Sequence, residues 1–322
     1  MPIDFTAAVY EHAAYLIGRT PWEVSRDAEL LSAAHAEAFC RYRHAPVVVG
    51  IDIYNLEAEA YGGVVDRPGG NGIPAIGTPI LRSVHELADS QPFDPSTAGR
   101  IPMVIDVAAR LARELPEADV RVPVSGPFSI ASSLLGLETL LCDVAMEPEA
   151  TTAALRHLAG GQVAFCEAIR HAGLDIAFFE SAAAPPLMAP ATFRRVELPA
   201  LTYTIERAAE VVGHPVPCII GGDTTPILEA ILETGTGYVI CPAETDQEAF
   251  VAKIRDRTDV RVRVNLEPEI MVRGTPEQLR AEIGRIQRIT ADRPNVCVGT
   301  GAMPYETPPE NVLLIEQICA EQ

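Results

Sequence analysis

The sequence predicts a (β/α)8 barrel of the TIM type with extra N-terminal helices. About eight short apolar runs, rich in β-branched residues, recur along the chain with helical patterns mostly between them. Most of these runs end on a polar residue, as strands do when their C-terminal ends open on a site. The 322 residues, 48% of them hydrophobic, are enough for one large α/β core. A count near eight favours a closed barrel over an open sheet. No linker or low-complexity tract interrupts the chain, so 1–322 reads as a single domain with 1–45 as a helical extension.

Phe5 to Ile17 and Ser25 to Tyr42 are rich in Ala, Leu, Glu and Arg, with apolar residues at helical spacing, and Pro21 separates them. Val47 to Asp52 is a β-branched run ending in a carboxylate, a buried strand with a polar tip. The glycines and prolines of 62–80 predict loop, with one weak strand near Ile73 to Ile76. Pro102 to Leu115 reads as helix and Val120 to Ser125 as strand. Gly126 to Ser129 breaks the pattern, and two helices follow, Gly136 to Met146 and Pro148 to His171. Strands are then expected at Leu174 to Phe179, Val216 to Ile220, Gly237 to Cys241, Val260 to Asn265 and Asn295 to Val298. Helices Pro190 to Val212, Ile227 to Thr234 and Asp246 to Arg257 alternate with them, and Thr275 caps a helix through Ile289. The last unit continues through Gly299-Thr300-Gly301, whose glycines let backbone lie close to a neighbour. Thr307-Pro308-Pro309-Glu310 then reads as a helix start with Thr307 as N-cap.

The formal net charge of −19 opposes nucleic-acid binding. No apolar run has the length of a membrane span, and Met1 to Phe5 is no signal peptide. The seven cysteines are scattered singly, which argues against a disulfide framework and fits a reducing cytoplasm. At 6% aromatic content, stacking platforms are not a theme.

The strand ends supply Asp52, Ser125, Glu180, Asp223, Cys241, Asn265, Glu267 and Thr300. Their convergence on one pocket predicts a ring of acids and amides, although any one alone also serves as a loop cap or salt-bridge partner. No histidine has ligand spacing, and no Ser/His/Asp or Cys/His set is formed.

Several of these segments resemble the uroporphyrinogen decarboxylase superfamily. Val122 to Ser129 is similar to the segment after that family's third strand, Val264 to Pro268 to its Gly-Asn-Leu-Asp-Pro element, and Gly299 to Val312 to its C-terminal signature. Gly50 to Asp52 with Glu57 to Gly62 resembles the corrinoid-dependent methyltransferase branch. The likeness covers nearly the whole chain and implies a barrel, often dimeric, with its pocket at the strand C-termini. Asp52 matches the acid with which decarboxylases hold pyrrole N–H groups, but their Arg-rich N-terminal segment is missing. The thiol-methylating branch holds zinc through a His-x-Cys pair and a later Cys; those positions fall on Ile219, Gly221 and Ala302.

The resemblance and its departures together imply a zinc-free methyltransferase. It would move a methyl group between a corrinoid (cobalamin on a partner carrier protein) and a non-thiol acceptor such as tetrahydrofolate. Asp52, Glu180 and Asp223 are the candidate catalytic acids. Asn265, Glu267, Ser125 and Cys241 are candidates for substrate contact. Gly299, Thr300 and Gly301 would let a cofactor lie against backbone, with Tyr305 and Met303 at the mouth. Two alternatives stay open: a decarboxylase or lyase on a small acid or pyrrole, and a non-catalytic barrel that binds a corrinoid or a partner.

Overall fold

A computed structural model describes residues 2–181 and 183–321. Eight strands form one parallel sheet: β1 Asp4–Ala8, β2 Val47–Val48, β3 Val120–Ser125, β4 Asp175–Glu180, β5 Pro217–Ile220, β6 Tyr238–Cys241, β7 Arg261–Asn265 and β8 Val296–Ala302. Their spatial order is β1-β8-β7-β6-β5-β4-β3-β2, which curls into a barrel nearly closed between β1 and β2. Helices surround it, as parallel strands buried on both faces require.

The sheet has eight strands, as expected, but not the same eight. Phe5 to Ile17 is not one helix. Asp4–Ala8 is a strand whose Asp4, Phe5 and Thr6 pair with Cys297, Val298 and Gly299 of β8, and the helix that follows runs only over Glu11–Leu16. Alanine-rich composition favours helix locally. An open edge on the last strand, nearly three hundred residues away in sequence, outweighs that preference. Conversely, Ala75–Ile76 pairs antiparallel with Val65–Asp66 in a small ribbon outside the barrel. Pro127–Leu135, where the pattern breaks, is a helix. Thr275 forms the expected capping box with Gln278. Thr307 does not cap: its hydroxyl donates to the Pro304 carbonyl and the helix starts at Pro309.

The period of two along each strand sorts the side chains. On β4, Ile176, Phe178 and Glu180 face the helices while Ala177 and Phe179 face the lumen. Between strands and helices lies the main core, where Phe128, Phe165, Phe178 and Phe193 are fully buried. Each is worth about 1.5–3 kcal/mol on leaving water. Pro148–His171, on the outside of β3 and β4, buries Leu155, Leu158, Phe165 and Ile169, the expected stripe. Among the described residues no single helix is long and apolar enough to cross a membrane.

Candidate active site

At the C-terminal ends of the strands lies a cavity of about 510 Å³. The segment Ile73 to Ala75 covers one side of it, pinned by Asn55 Nδ2, which donates to the Pro74 carbonyl at 2.7 Å. Its inner wall is aromatic. Tyr10 and Tyr54 each set an edge against Phe179, with ring centroids 6.1 and 6.2 Å apart. A low overall aromatic content hides this concentration, because three rings suffice to line a cavity of that size.

Four expected site residues line the cavity: Asp52, Asn265, Thr300 and Gly301. Asp52 is committed to a buried ion pair. Arg100 Nη1 and Nη2 donate to its two oxygens at 2.8 and 2.7 Å, and Asn55 adds a bond of 3.1 Å. A carboxylate has about four acceptor sites, so Asp52 keeps little capacity for a guest. Asn265 Oδ1 accepts from Arg263 Nε at 3.1 Å. The Thr300 hydroxyl accepts from the Ala8 N–H at 2.9 Å and thereby ties β8 to β1. Gly301 has φ +64°, which a residue with a Cβ rarely adopts.

The other expected residues lie elsewhere, and the ring of converging acids and amides is corrected accordingly. Glu180 sits one residue past the lumen-facing Phe179, so it points into the helix layer. There it accepts from the N–H groups of Phe128, Ser129 and Ser181 at 3.1, 2.8 and 2.9 Å. That position at the start of helix Pro127–Leu135 suits an anion. Glu197, carried inward by a π-type turn at Phe193–Glu197, lies beside it. Burial, then the Glu180 charge, hold the Glu197 proton well above the usual range. Cys241 follows the lumen-facing Ile240 and is fully buried in the core. Ser125 is fully buried beneath the segment after β2; its N–H donates to Glu57 at 2.6 Å and its hydroxyl to the Ile53 carbonyl. Asp223 accepts from Thr245 at 2.7 Å and does not reach the cavity lining. Glu267 is exposed ahead of helix Pro268–Arg273. Tyr305 donates to the Arg19 carbonyl at 2.9 Å, and Met303 is core. Gly299 does admit a close neighbour, but it is the chain's own: a Cβ there would overlap the Cγ and Cδ of Arg263.

Two residues not singled out in the sequence complete the site. Arg263 is 5% exposed, lies in the lumen, and has phenols and a thiol (Tyr238, Tyr10, Cys297) as neighbours rather than a carboxylate. Glu11 lines the cavity at 7% exposure; its carboxylate accepts from its own backbone N–H and lies near the Tyr10 phenol, and no cation pairs with it among the described residues. Burial pushes its pKa up to about 7, with that N–H pulling the other way. A carboxyl with this pKa can give or take a proton at neutral pH. Recognising Asp4 to Ala8 as a strand would have exposed Glu11 as a strand-end residue. Arg263, two before Asn265 on the same strand, was legible as a lumen residue by alternation.

Ile219, Gly221 and Ala302 all line this cavity, and none carries a metal donor. Among the described residues no group of three His, Cys, Asp or Glu is gathered as a metal site would need.

A search of curated proteins finds no significant match. Among solved structures, a methyltransferase from Methanosarcina mazei is similar at 19% identity with a TM-score of 0.82, over 99% of this chain and 94% of that one. SacUVDE matches at 8% identity over 98% of this chain and 97% of that one, with a TM-score of 0.46 too low to carry argument. The first likeness shows the barrel fold. The uroporphyrinogen decarboxylase (URO-D) profile matches residues 2–321, which takes in the barrel, its helices and the whole cavity, and the chain belongs to the URO-D family.

Proposed function

We propose that this barrel is a methyltransferase-type enzyme acting on a planar, nitrogen-containing ring, with tetrahydrofolate as the acceptor or, methylated, the donor. The other methyl carrier would be a corrinoid brought by a partner protein to the open strand ends. One observation carries the reading: Glu11 is a buried carboxyl that no cation meets among the described residues, with a pKa of about 7, beside an aromatic wall. Family membership and the likeness to a Methanosarcina methyltransferase support methyl transfer as the reaction type.

The cavity fits one ring system, being within the range of small-molecule sites. A corrinoid, when bound, supplies the cobalt that gives or receives the methyl group. The chain's own part is positioning and proton control. Tyr10, Tyr54 and Phe179 hold the ring by its faces and edges. Glu11 holds a proton near neutral pH and delivers it to the ring nitrogen as the carbon–nitrogen bond breaks, so that the amine leaves uncharged. In the reverse direction it takes that proton back. Asn265 Oδ1, which keeps a second acceptor site beside its bond from Arg263, meets a ring N–H group. Zinc has no part in this reading, since Ile219, Gly221 and Ala302 offer no donor to activate a thiol.

The test is incubation with methyltetrahydrofolate and reduced free cobalamin, followed by absorbance, with calorimetric titration of the folate alongside. Saturable binding and slow formation of methylcobalamin are expected. Absence of both saturable binding and methylation would overturn the proposal.

A second reading rests on Arg263. A buried guanidinium facing no carboxylate would hold a substrate carboxylate, as a decarboxylase-type lyase on a small acid requires. Carbon dioxide release from small organic acids by the purified protein would favour it.

A further inference from the structure

The barrel is hollow below its active-site cavity. A second chamber of about 630 Å³ lies between the N-terminal halves of the strands and opens on the opposite face. Tyr10, Phe179, Ile219 and Arg263 line both spaces, so they are the floor of one and the ceiling of the other. TIM barrels ordinarily fill this level with layers of branched side chains. Here Ala8, Ala177 and Pro217 leave it wide.

The charges around the chamber are unequal in their pairing. At its mouth, Arg121 meets Asp119 at 2.9 Å and Asp175 at 3.6 Å, Arg261 meets Asp4 at 2.8 Å, and His214 meets Asp175 at 3.1 Å. Arg263, at the ceiling, donates to Asn265 and has Tyr238 beside it, but no carboxylate meets it among the described residues. A guanidinium carries five N–H donors. Burying it without a counter-charge is unfavourable, and an anion in the adjoining space would offset that cost.

We propose that the lower chamber is a second binding site, reached from the N-terminal face, for a small organic carboxylate with a compact apolar body. The carboxylate pairs with Arg263, and the body lies against Phe179, Ile219 and Val48. Because one guanidinium adjoins both spaces, an anion below competes with an anion above for the same donors.

Calorimetric titration of the full chain with benzoate tests this, with benzamide as the neutral isostere. Benzoate is expected to bind saturably and benzamide at least tenfold more weakly. Arg263→Met and Ala177→Phe, the latter filling only the lower chamber, should each weaken benzoate at least tenfold. Ala243→Phe, which narrows only the upper cavity, should change it less than twofold. Absence of saturable binding overturns the proposal, as does binding lost in Ala243→Phe and kept in Ala177→Phe. Since interior variants can fail to fold, a benzoate soak of crystals of the unaltered protein gives an independent reading. Density on Arg263 below the Tyr10–Phe179 layer supports the site; density only above that layer, or none, refutes it.

Discussion

Replacing Glu11 by Gln separates what burial does to stability from what the carboxyl does in the reaction. Burial raises the Glu11 pKa from an ordinary 4.5 to about 7. That gap corresponds to roughly 3 kcal/mol between the protonated and ionised forms. Below pH 4.5 the folded and unfolded chains both keep the proton. As pH rises to about 7 the unfolded chain loses it first, so stability falls across that window and the full penalty stands above it. Glutamine cannot ionise. Glu11→Gln and the unaltered protein should therefore unfold alike near pH 4.5. By pH 8 the variant should be more stable by roughly 3 kcal/mol, about 4–5 °C in Tm for a chain of this length. Circular dichroism melts between pH 4.5 and 8 read the gap directly. Methyl transfer should drop by about 10²–10⁴ in the same variant. A stability difference that does not change with pH refutes the raised carboxyl. A difference that opens as described while activity persists leaves the carboxyl's environment intact but removes its role as acid.

Gly299→Ala should cost about 1–3 kcal/mol in chemical denaturation, because the new methyl takes the space of the Arg263 stem. Arg100→Met leaves the buried Asp52 with only the 4.0 Å contact of Arg26 and should lower stability by about 3 kcal/mol, read as an earlier denaturation midpoint. Glu197→Gln should flatten the pH dependence of Tm: the native carboxyl holds its proton well above 4.5, so its contribution is whole below that pH and is lost as pH rises. Cys241→Ala should cost about 1 kcal/mol of packing and leave turnover unchanged, since the thiol faces the core. Loss of turnover without loss of stability there would return Cys241 to the site.

Much of the fold was legible because strand and helix periods are written locally. The runs at Val120 to Ser125 and Val260 to Asn265 match β3 and β7, and Pro148 to His171 matches its helix end to end. The capping box at Thr275 needs only four consecutive residues and formed as written. Asp4 to Ala8 was not legible, since its strand state depends on a partner at the other end of the chain. The site divides along the same line. That polar residues stand at strand ends follows from sequence. Which of them look inward depends on a one-residue phase, and Glu180 and Cys241 fall on the outward side beside Phe179 and Ile240.

The sequence by itself determined an α/β barrel, the positions of most of its strands, and family membership, because hydrophobic period and motif spacing are properties of neighbours along the chain. Only the tertiary structure decided that Arg100 neutralises Asp52, that Gly299 makes room for Arg263, and that Glu11 is buried in an aromatic-walled cavity with no cation against it among the described residues. Those outcomes turn on which charges meet and which are left unpaired once water is removed, and that is settled by distances between residues far apart in the chain.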